Sequence, residues 1–181
     1  IELMKAAFMQ VSMGQAAVPL RTQIPILSNE GVTLFMPAYL SQSGDLGAKI
    51  VSVFPHNPER SFPTVHAVVI VIDSTTGVPV ALMDGTYLTA LRTGAASGAA
   101  TDLLARKDAC VVAIFGAGIQ GRTQLEAVCT IRPITRALIL DINPEQVASY
   151  VDEMKRRGAP IPGDIRIAHS PDEAVHQADV I

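Results

Sequence analysis

One junction in this sequence constrains the fold more than any other. A run of β-branched and apolar residues, Val111-Val112-Ala113-Ile114-Phe115, passes into Gly116-Ala117-Gly118-Ile119-Gln120-Gly121, and a segment with helical spacing follows. The pattern G-x-G-x-x-G is weak alone, but strand before and helix after is the context its mechanism demands. Gly116 allows the tight turn, Gly118 lets the backbone approach a pyrophosphate, and Gly121 lets the helix lie close to the strand. The helix N-terminus contributes free N–H groups and the positive end of its dipole, which suit phosphate.

A second feature sharpens the reading. Asp141 closes the next strand, twenty residues after Gly121. A carboxylate there accepts hydrogen bonds from both ribose hydroxyls and repels a 2′-phosphate. Ile142-Asn143-Pro144 follows it, with no Arg to hold such a phosphate. The expected cofactor is therefore NAD rather than NADP. FAD-binding chains share the fingerprint but usually carry it at the chain start, whereas about 110 residues precede it here.

After residue 107 the signals alternate. Strands are expected at 110–115, Arg136–Leu140 and 165–168, with a further one beginning at Val180. Helices are expected from the Gly-rich turn to about Thr130, over Pro144–Arg157, and over Pro171–Gln177. Strands alternating with helices make a doubly wound parallel sheet. The first half reads differently. Residues 1–17 have helical spacing, and 18–40 alternate extended and turn signals around Pro19, Pro25, Gly31 and Pro37. Strands are expected at 49–54, Val65–Asp73 and 78–83, the last two joined as a hairpin through Ser74-Thr75-Thr76-Gly77. Strands with short links make an antiparallel sheet. Residues 86–105 read as one long helix rich in small residues, suited to tight packing.

Composition excludes several classes. With 49% hydrophobic residues, 17% charged and a net charge of −3, the chain is neither disordered nor built for nucleic acid or a membrane surface. Its longest aliphatic run, residues 68–72, stops at Asp73, far short of the roughly 20 residues of a membrane span. Cys110 and Cys129 fit no metal or redox spacing, and two reduced thiols suit a cytoplasmic protein. The chain starts without Met inside a helical pattern and stops inside an expected strand. It is therefore expected to be truncated at both ends.

Arg21, Lys49 and Arg92 sit among apolar neighbours, at places where core residues are expected. A buried cation needs a partner, and a small substrate carboxylate satisfies several at once. Taken singly, each is more often an exposed or structurally paired cation, and composition does not decide between the two.

At this point Met36-Pro37, Gly47-Ala48-Lys49-Ile50-Val51, Met83-Asp84-Gly85, Thr89-Ala90-Leu91-Arg92-Thr93-Gly94-Ala95 and the Gly-rich turn fall into a known order. The chain resembles the ornithine cyclodeaminase/mu-crystallin family, which includes archaeal-type alanine dehydrogenases and ketimine reductases. The resemblance implies an α+β substrate and dimerisation domain, here residues 1–107, followed by a Rossmann NAD-binding domain, here 108–181, each partial. It implies that Arg21, Lys49 and Arg92 bind the substrate carboxylate and that Lys49 assists proton transfer at the reacting carbon. It assigns Thr64 and Thr93 to the cofactor, Gly118, Ile119 and Gln120 to the pyrophosphate, and Asp141 to the ribose. It also implies a homodimer.

Two departures follow from the same resemblance. Cyclodeaminases of the family carry Glu two residues before Met-Pro to hold the distal amine of ornithine, and here that position is Leu34. Glu30 and Asp45 are the other candidate acids for that amine. The family's catalytic Asp falls beyond residue 181. The expected activity is an NAD-dependent oxidoreductase of a small 2-amino or 2-imino acid, alanine dehydrogenase-like or ketimine reductase-like. The alternatives are an ornithine cyclodeaminase forming proline and a non-catalytic, mu-crystallin-like binding protein.

Overall fold

A computed structural model describes residues 1–181. In chain order the elements are α1 (Glu2–Ser12), β1 (Ala16–Ala17), β2 (Thr22–Ile26), β3 (Gly31–Leu40), β4 (Asp45–Val53), β5 (Val65–Asp73), β6 (Pro79–Asp84) and α2 (Gly85–Leu104). They continue as β7 (Val111–Phe115), α3 (Ile119–Ile131), β8 (Arg136–Leu140), α4 (Pro144–Arg157), β9 (Asp164–Ile167) and α5 (Pro171–Gln177). The chain divides into two compact units, residues 6–89 and residues 1–5 with 90–181.

The first unit is a six-stranded antiparallel sheet in the order β1-β3-β4-β5-β6, with β2 also beside β3. The hairpin β5–β6 forms as expected. Asp73 holds its turn, accepting hydrogen bonds from the Thr75 and Thr76 N–H groups and the Thr76 hydroxyl.

Two sequence readings need correction here. The first helix stops at Ser12, because Gly14 takes a left-handed φ of 71° and turns the chain into β1. Residues 31–40, read as punctuated, form one ten-residue strand. Pro37 is tolerated because β3 pairs with β2 through Gly31–Phe35 and with β1 at Tyr39 and Leu40. Pro37 falls between those two stretches and has a partner, Ala48, on one side alone.

The sheet has little core of its own. Val51 is its one fully buried hydrophobic side chain, while Ile24, Val80 and Leu82 are exposed.

The second unit carries the parallel sheet. β7, β8 and β9 are neighbours in that order, and Val180 bridges in parallel to Val112 on the other side of β7. Alternate residues of the strands feed two apolar clusters. Val112, Ile114, Ala137, Ile139 and Ile165 pack with Leu125 and Val128 of α3 and Val147, Tyr150 and Met154 of α4. Ala113 and Leu138 pack on the opposite face with Ala174 of α5. Helices on both faces of a parallel sheet are the doubly wound arrangement expected, so the chain combines an antiparallel α+β unit with a Rossmann half.

Buried Arg132 finishes α2, donating to the Thr101 and Asp102 carbonyls of its last turn and to the Ala105 carbonyl just beyond it.

Candidate functional site

Ligands of doubly wound sheets bind outside the carboxyl ends of the strands. Here β7 ends at Phe115 and β8 at Leu140, just before Gly116 and Asp141, and the Gly116 N–H donates to the Leu140 carbonyl at 2.8 Å. Gly116 has φ 103°, a conformation side chains rarely adopt. A Cβ on Gly121 would fall inside the Gly116 carbonyl oxygen, so this glycine is what allows α3 to start against the strand. Gly118 is different. Its backbone is extended (φ −80°), and an added Cβ would meet no protein atom within 4 Å. Packing within the chain therefore does not require glycine there. A phosphate group brought against this backbone does, since a Cβ would fill the cradle. No side chain caps α3, which leaves its first N–H groups to such a ligand.

Asp141 is fixed beside the turn. One carboxylate oxygen accepts from the Ala117 N–H at 2.7 Å, and the other from the Asn143 N–H at 2.9 Å. These two donors, Ala117 first, hold its carboxyl below the ordinary carboxylate range. Asn143 in turn caps α4 by accepting from the Glu145 and Gln146 N–H groups. Phe115, Gly116, Leu140, Asp141, Ile142 and Pro171 line a cleft of about 460 Å³ at this sheet edge. Its walls are apolar and Asp141 supplies its charge, which matches an adenosine with ribose hydroxyls.

Arg92 and Thr93 lie on α2, next to the point where it crosses α3. Ala90, Gly94 and Gly98 repeat every four residues along α2. A Cβ on Gly94 would fall inside the Thr123 backbone, and one on Gly98 would lie 3.1 Å from the Ala127 Cβ. Thr123 Oγ1 donates to the Ala90 carbonyl at 2.9 Å. The small residues thus let α2 and α3 touch backbone to backbone, and fix Arg92 and Thr93 relative to Ile119 and Gln120.

Within residues 6–89, Lys49 sits mid-way along β4, paired with Met36 on β3 and Val69 on β5. It is half-buried and lines a cavity of about 340 Å³ with Met36, Ala38, Gly47, Val69 and Val71. Leu34 pairs with Val51, two residues along both strands, and so shares the Lys49 face. Arg21 precedes the Thr22–Phe35 pair. Thr64 is half-buried just before β5, its carbonyl accepting from the Phe54 N–H at 2.9 Å.

For the two arginines the structure agrees with the reading of each, taken singly, as an exposed cation rather than a buried one. Arg21 and Arg92 are exposed and Lys49 is half-buried. Arg21 lies in the irregular stretch before β2, and Arg92 on the side of α2 away from the Gly94 crossing. Of the alternative amine binders, Glu30 is engaged with His56 at 3.0 Å and Asp45 lines the far end of the Lys49 cavity. Sequence reasoning missed Ala117, whose peptide group joins Asp141 to the turn. Its side chain carries no signal. It also missed Arg122, although a cation one residue after the last glycine of the turn was visible.

A model of the ornithine cyclodeaminase/mu-crystallin family matches residues 1–181. The chain belongs to that family. It is similar to the Delta(1)-pyrroline-2-carboxylate reductase of Bacillus cereus, 34% identical over 184 residues that cover all of this chain and 55% of the relative. Among solved structures it is similar to Thermococcus litoralis Delta(1)-pyrroline-2-carboxylate reductase in complex with NADH and L-proline. The TM-score is 0.91 at 44% identity, over 99% of this chain and 55% of that one. It is also similar to an archaeal alanine dehydrogenase dimer with bound NAD, with a TM-score of 0.84 at 33% identity, over 94% of this chain and 51% of that one. This ornithine cyclodeaminase/mu-crystallin chain thus spans about half the length of the relatives it matches.

Proposed function

We propose that the chain carries the substrate-binding and cofactor-binding residues of an NAD-dependent oxidoreductase that reduces a small cyclic 2-imino acid, with small 2-amino acids as the reverse substrates. One observation carries this reading. A Gly-rich turn, open at Gly118 and tied to Asp141, occurs in a chain that superposes at a TM-score of 0.91 on a reductase binding NADH and L-proline.

In this reading Gly116 and Gly121 shape the turn, and the N–H groups of Gly118, Ile119 and Gln120 hold the pyrophosphate. Asp141 accepts from the ribose hydroxyls, while Thr64 and Thr93 contact the rest of the dinucleotide. When bound, NADH supplies the reducing equivalent. Arg21, Lys49 and Arg92 bind the substrate carboxylate, Arg by a two-pronged contact and Lys as a point charge. Lys49 also holds a proton beside the reacting carbon. The apolar walls immediately around Lys49, from Met36 to Val71, favour a substrate whose body is apolar, with the Asp45 carboxylate at the far end of the cavity. Leu34 on the same face has the same effect and disfavours a free distal ammonium.

The functional division we assign, residues 1–107 for substrate and dimerisation and 108–181 for cofactor, follows this chemistry. A homodimer is part of the proposal. It is supported by the half-exposed antiparallel sheet and by the dimeric alanine dehydrogenase relative. So is a cytoplasmic location, supported by two free cysteines. No helix is long and apolar enough to cross a membrane.

The test uses the intact protein with NADH and a panel of Δ1-pyrroline-2-carboxylate, pyruvate with ammonia, and, in the NAD direction, proline, alanine and ornithine. Imine reduction is expected to dominate. Arg92→Ala is expected to abolish it while NADH affinity stays within about twofold, since a bidentate charge-assisted contact is lost. Rapid proline formation from ornithine with no imine reduction overturns the proposal.

A further inference from the structure

We propose that Arg122 is a positioning residue that aims the Gly118 N–H of the pyrophosphate-binding turn by gripping the Ala117 carbonyl. The proposal rests on the cofactor reading above and deepens it.

The Ala117 residue is held at both of its peptide groups. Its N–H donates to Asp141 at 2.7 Å. Its carbonyl accepts from Arg122 Nη1 at 2.7 Å and from Gln146 Nε2 at 3.5 Å. Arg122 cannot readily leave this place. Its Nε donates to Glu153 of α4 at 2.6 Å, its guanidinium lies 5.0 Å from the Tyr150 ring centre, and its side chain is 15% exposed. Glu153 stays ionised, its carboxyl held below the ordinary range chiefly by Arg122. The buried Tyr150 hydroxyl donates to the Gly121 carbonyl at 2.9 Å, so α4 supports the turn at a second point.

The consequence follows from peptide geometry. The Ala117 carbonyl and the Gly118 N–H belong to one planar trans peptide, in which they point in opposite directions. That plane turns about ψ of Ala117 and φ of Gly118, and Gly118, without a Cβ, resists few backbone angles, so the plane needs an outside anchor to stay put. With the carbonyl drawn toward Arg122 and Gln146, the Gly118 N–H is aimed away from them. An added Cβ on Gly118 would meet no protein atom within 4 Å, so this donor faces open space. The Ala117 N–H is already taken by Asp141, so Gly118 provides the first donor of the turn to a phosphate. Losing the grip lets the plane turn and withdraws that donor.

The experiment measures NADH, ADP-ribose and adenosine binding to the intact protein, wild type and variants. In Arg122→Leu, NADH and ADP-ribose are expected to weaken roughly tenfold, while adenosine, which lacks the pyrophosphate, stays within about twofold. Arg122→Lys keeps the charge and reaches one of the two acceptors, and is expected to recover part of the loss. If Arg122→Leu does not fold, the ADP-ribose to adenosine ratio in Arg122→Lys and Tyr150→Phe decides in its place. An unchanged ratio, or an equal loss for all three ligands, overturns the proposal and leaves the cofactor reading standing. A wild-type protein that binds neither NADH nor ADP-ribose overturns both.

Discussion

The Asp141 carboxylate accepts a 2.7 Å hydrogen bond from the Ala117 N–H, so the acid ending β8 and the turn ending β7 are one hydrogen-bonded unit. An acid on a free loop could swing aside for a 2′-phosphate. Asp141 is anchored at one oxygen by Ala117 and at the other by Asn143. Asp141→Asn is therefore expected to narrow the preference for NADH over NADPH by about tenfold or more, since repulsion of a fixed neighbouring charge is removed. Fluorescence titration of both cofactors checks this, and an unchanged ratio counts against the ribose assignment.

The same hydrogen bonds give the protein an acid limit. Asp141 is held below its ordinary value by Ala117 and Asn143. Asp164 is held down to about 2 by Arg166 and Arg136, and Asp102 is lowered by Lys5, then Arg132 and Lys107. Each folded-state value lies below the unfolded one. Their contribution to stability is thus complete above the ordinary value of 3.8 and lost as the pH falls through the folded values. Thermal melting is expected to be flat in these groups at neutral pH and to drop steeply below about pH 4. Asp164→Asn should flatten part of that slope by lowering the neutral melting temperature toward the acid value, and by little, because the group is half-exposed and its ion pairs are screened by solvent.

The parallel unit was legible because each of its signals is local. The glycine spacing, the strand before it, Asp141 and the Asn143-Pro144 cap each depend on neighbours within a turn or two, and their elements fell within a residue or so of expectation. Residues 31–40 were not legible, because whether Pro37 breaks a strand depends on which sides of β3 are paired, and that is set by β1 and β2. The burial of the cations was undecided in the sequence for a related reason. Apolar neighbours in sequence do not bury Arg21 or Arg92 when the backbone carries them on an irregular segment or an outer helix face. The Ala117 and Arg122 contacts were out of reach, since they depend on Glu153 and Gln146 of α4, 31 and 29 residues away from their partners.

The α2–α3 crossing is expected to be intolerant of a single methyl group. Gly94→Ala places a Cβ inside the Thr123 backbone, where no flexible side chain can yield. Overpacking of this kind costs about 1–3 kcal/mol. The displacement would be transmitted to Arg92, Thr93 and the start of α3, so KM for NADH is expected to rise along with the loss of stability. Urea unfolding and steady-state kinetics on the same variant check both. Wild-type stability would mean that the two helices are not packed as closely as described.

Leu34 offers the sharpest test of substrate choice. It pairs with Val51 on the face that carries Lys49, so a carboxylate placed there faces the same side of the sheet as the ammonium. Leu34→Glu supplies a partner for a distal ammonium and, at the same time, a charge that a neutral imine cannot match. A buried charge left without a partner is costly, and a site built to pair a polar group discriminates strongly against ligands lacking it. The variant is therefore expected to lose imine reduction and to gain relative activity on ornithine, with the ratio of the two kcat/KM values moving by roughly a hundredfold. Part of the imine loss will come from the new carboxylate competing for Lys49. A rise in the KM for the imine with little change in the KM for NADH would identify that contribution. A ratio that stays put would show that position 34 does not face the substrate, and would return the cyclodeaminase reading to equal standing with imine reduction.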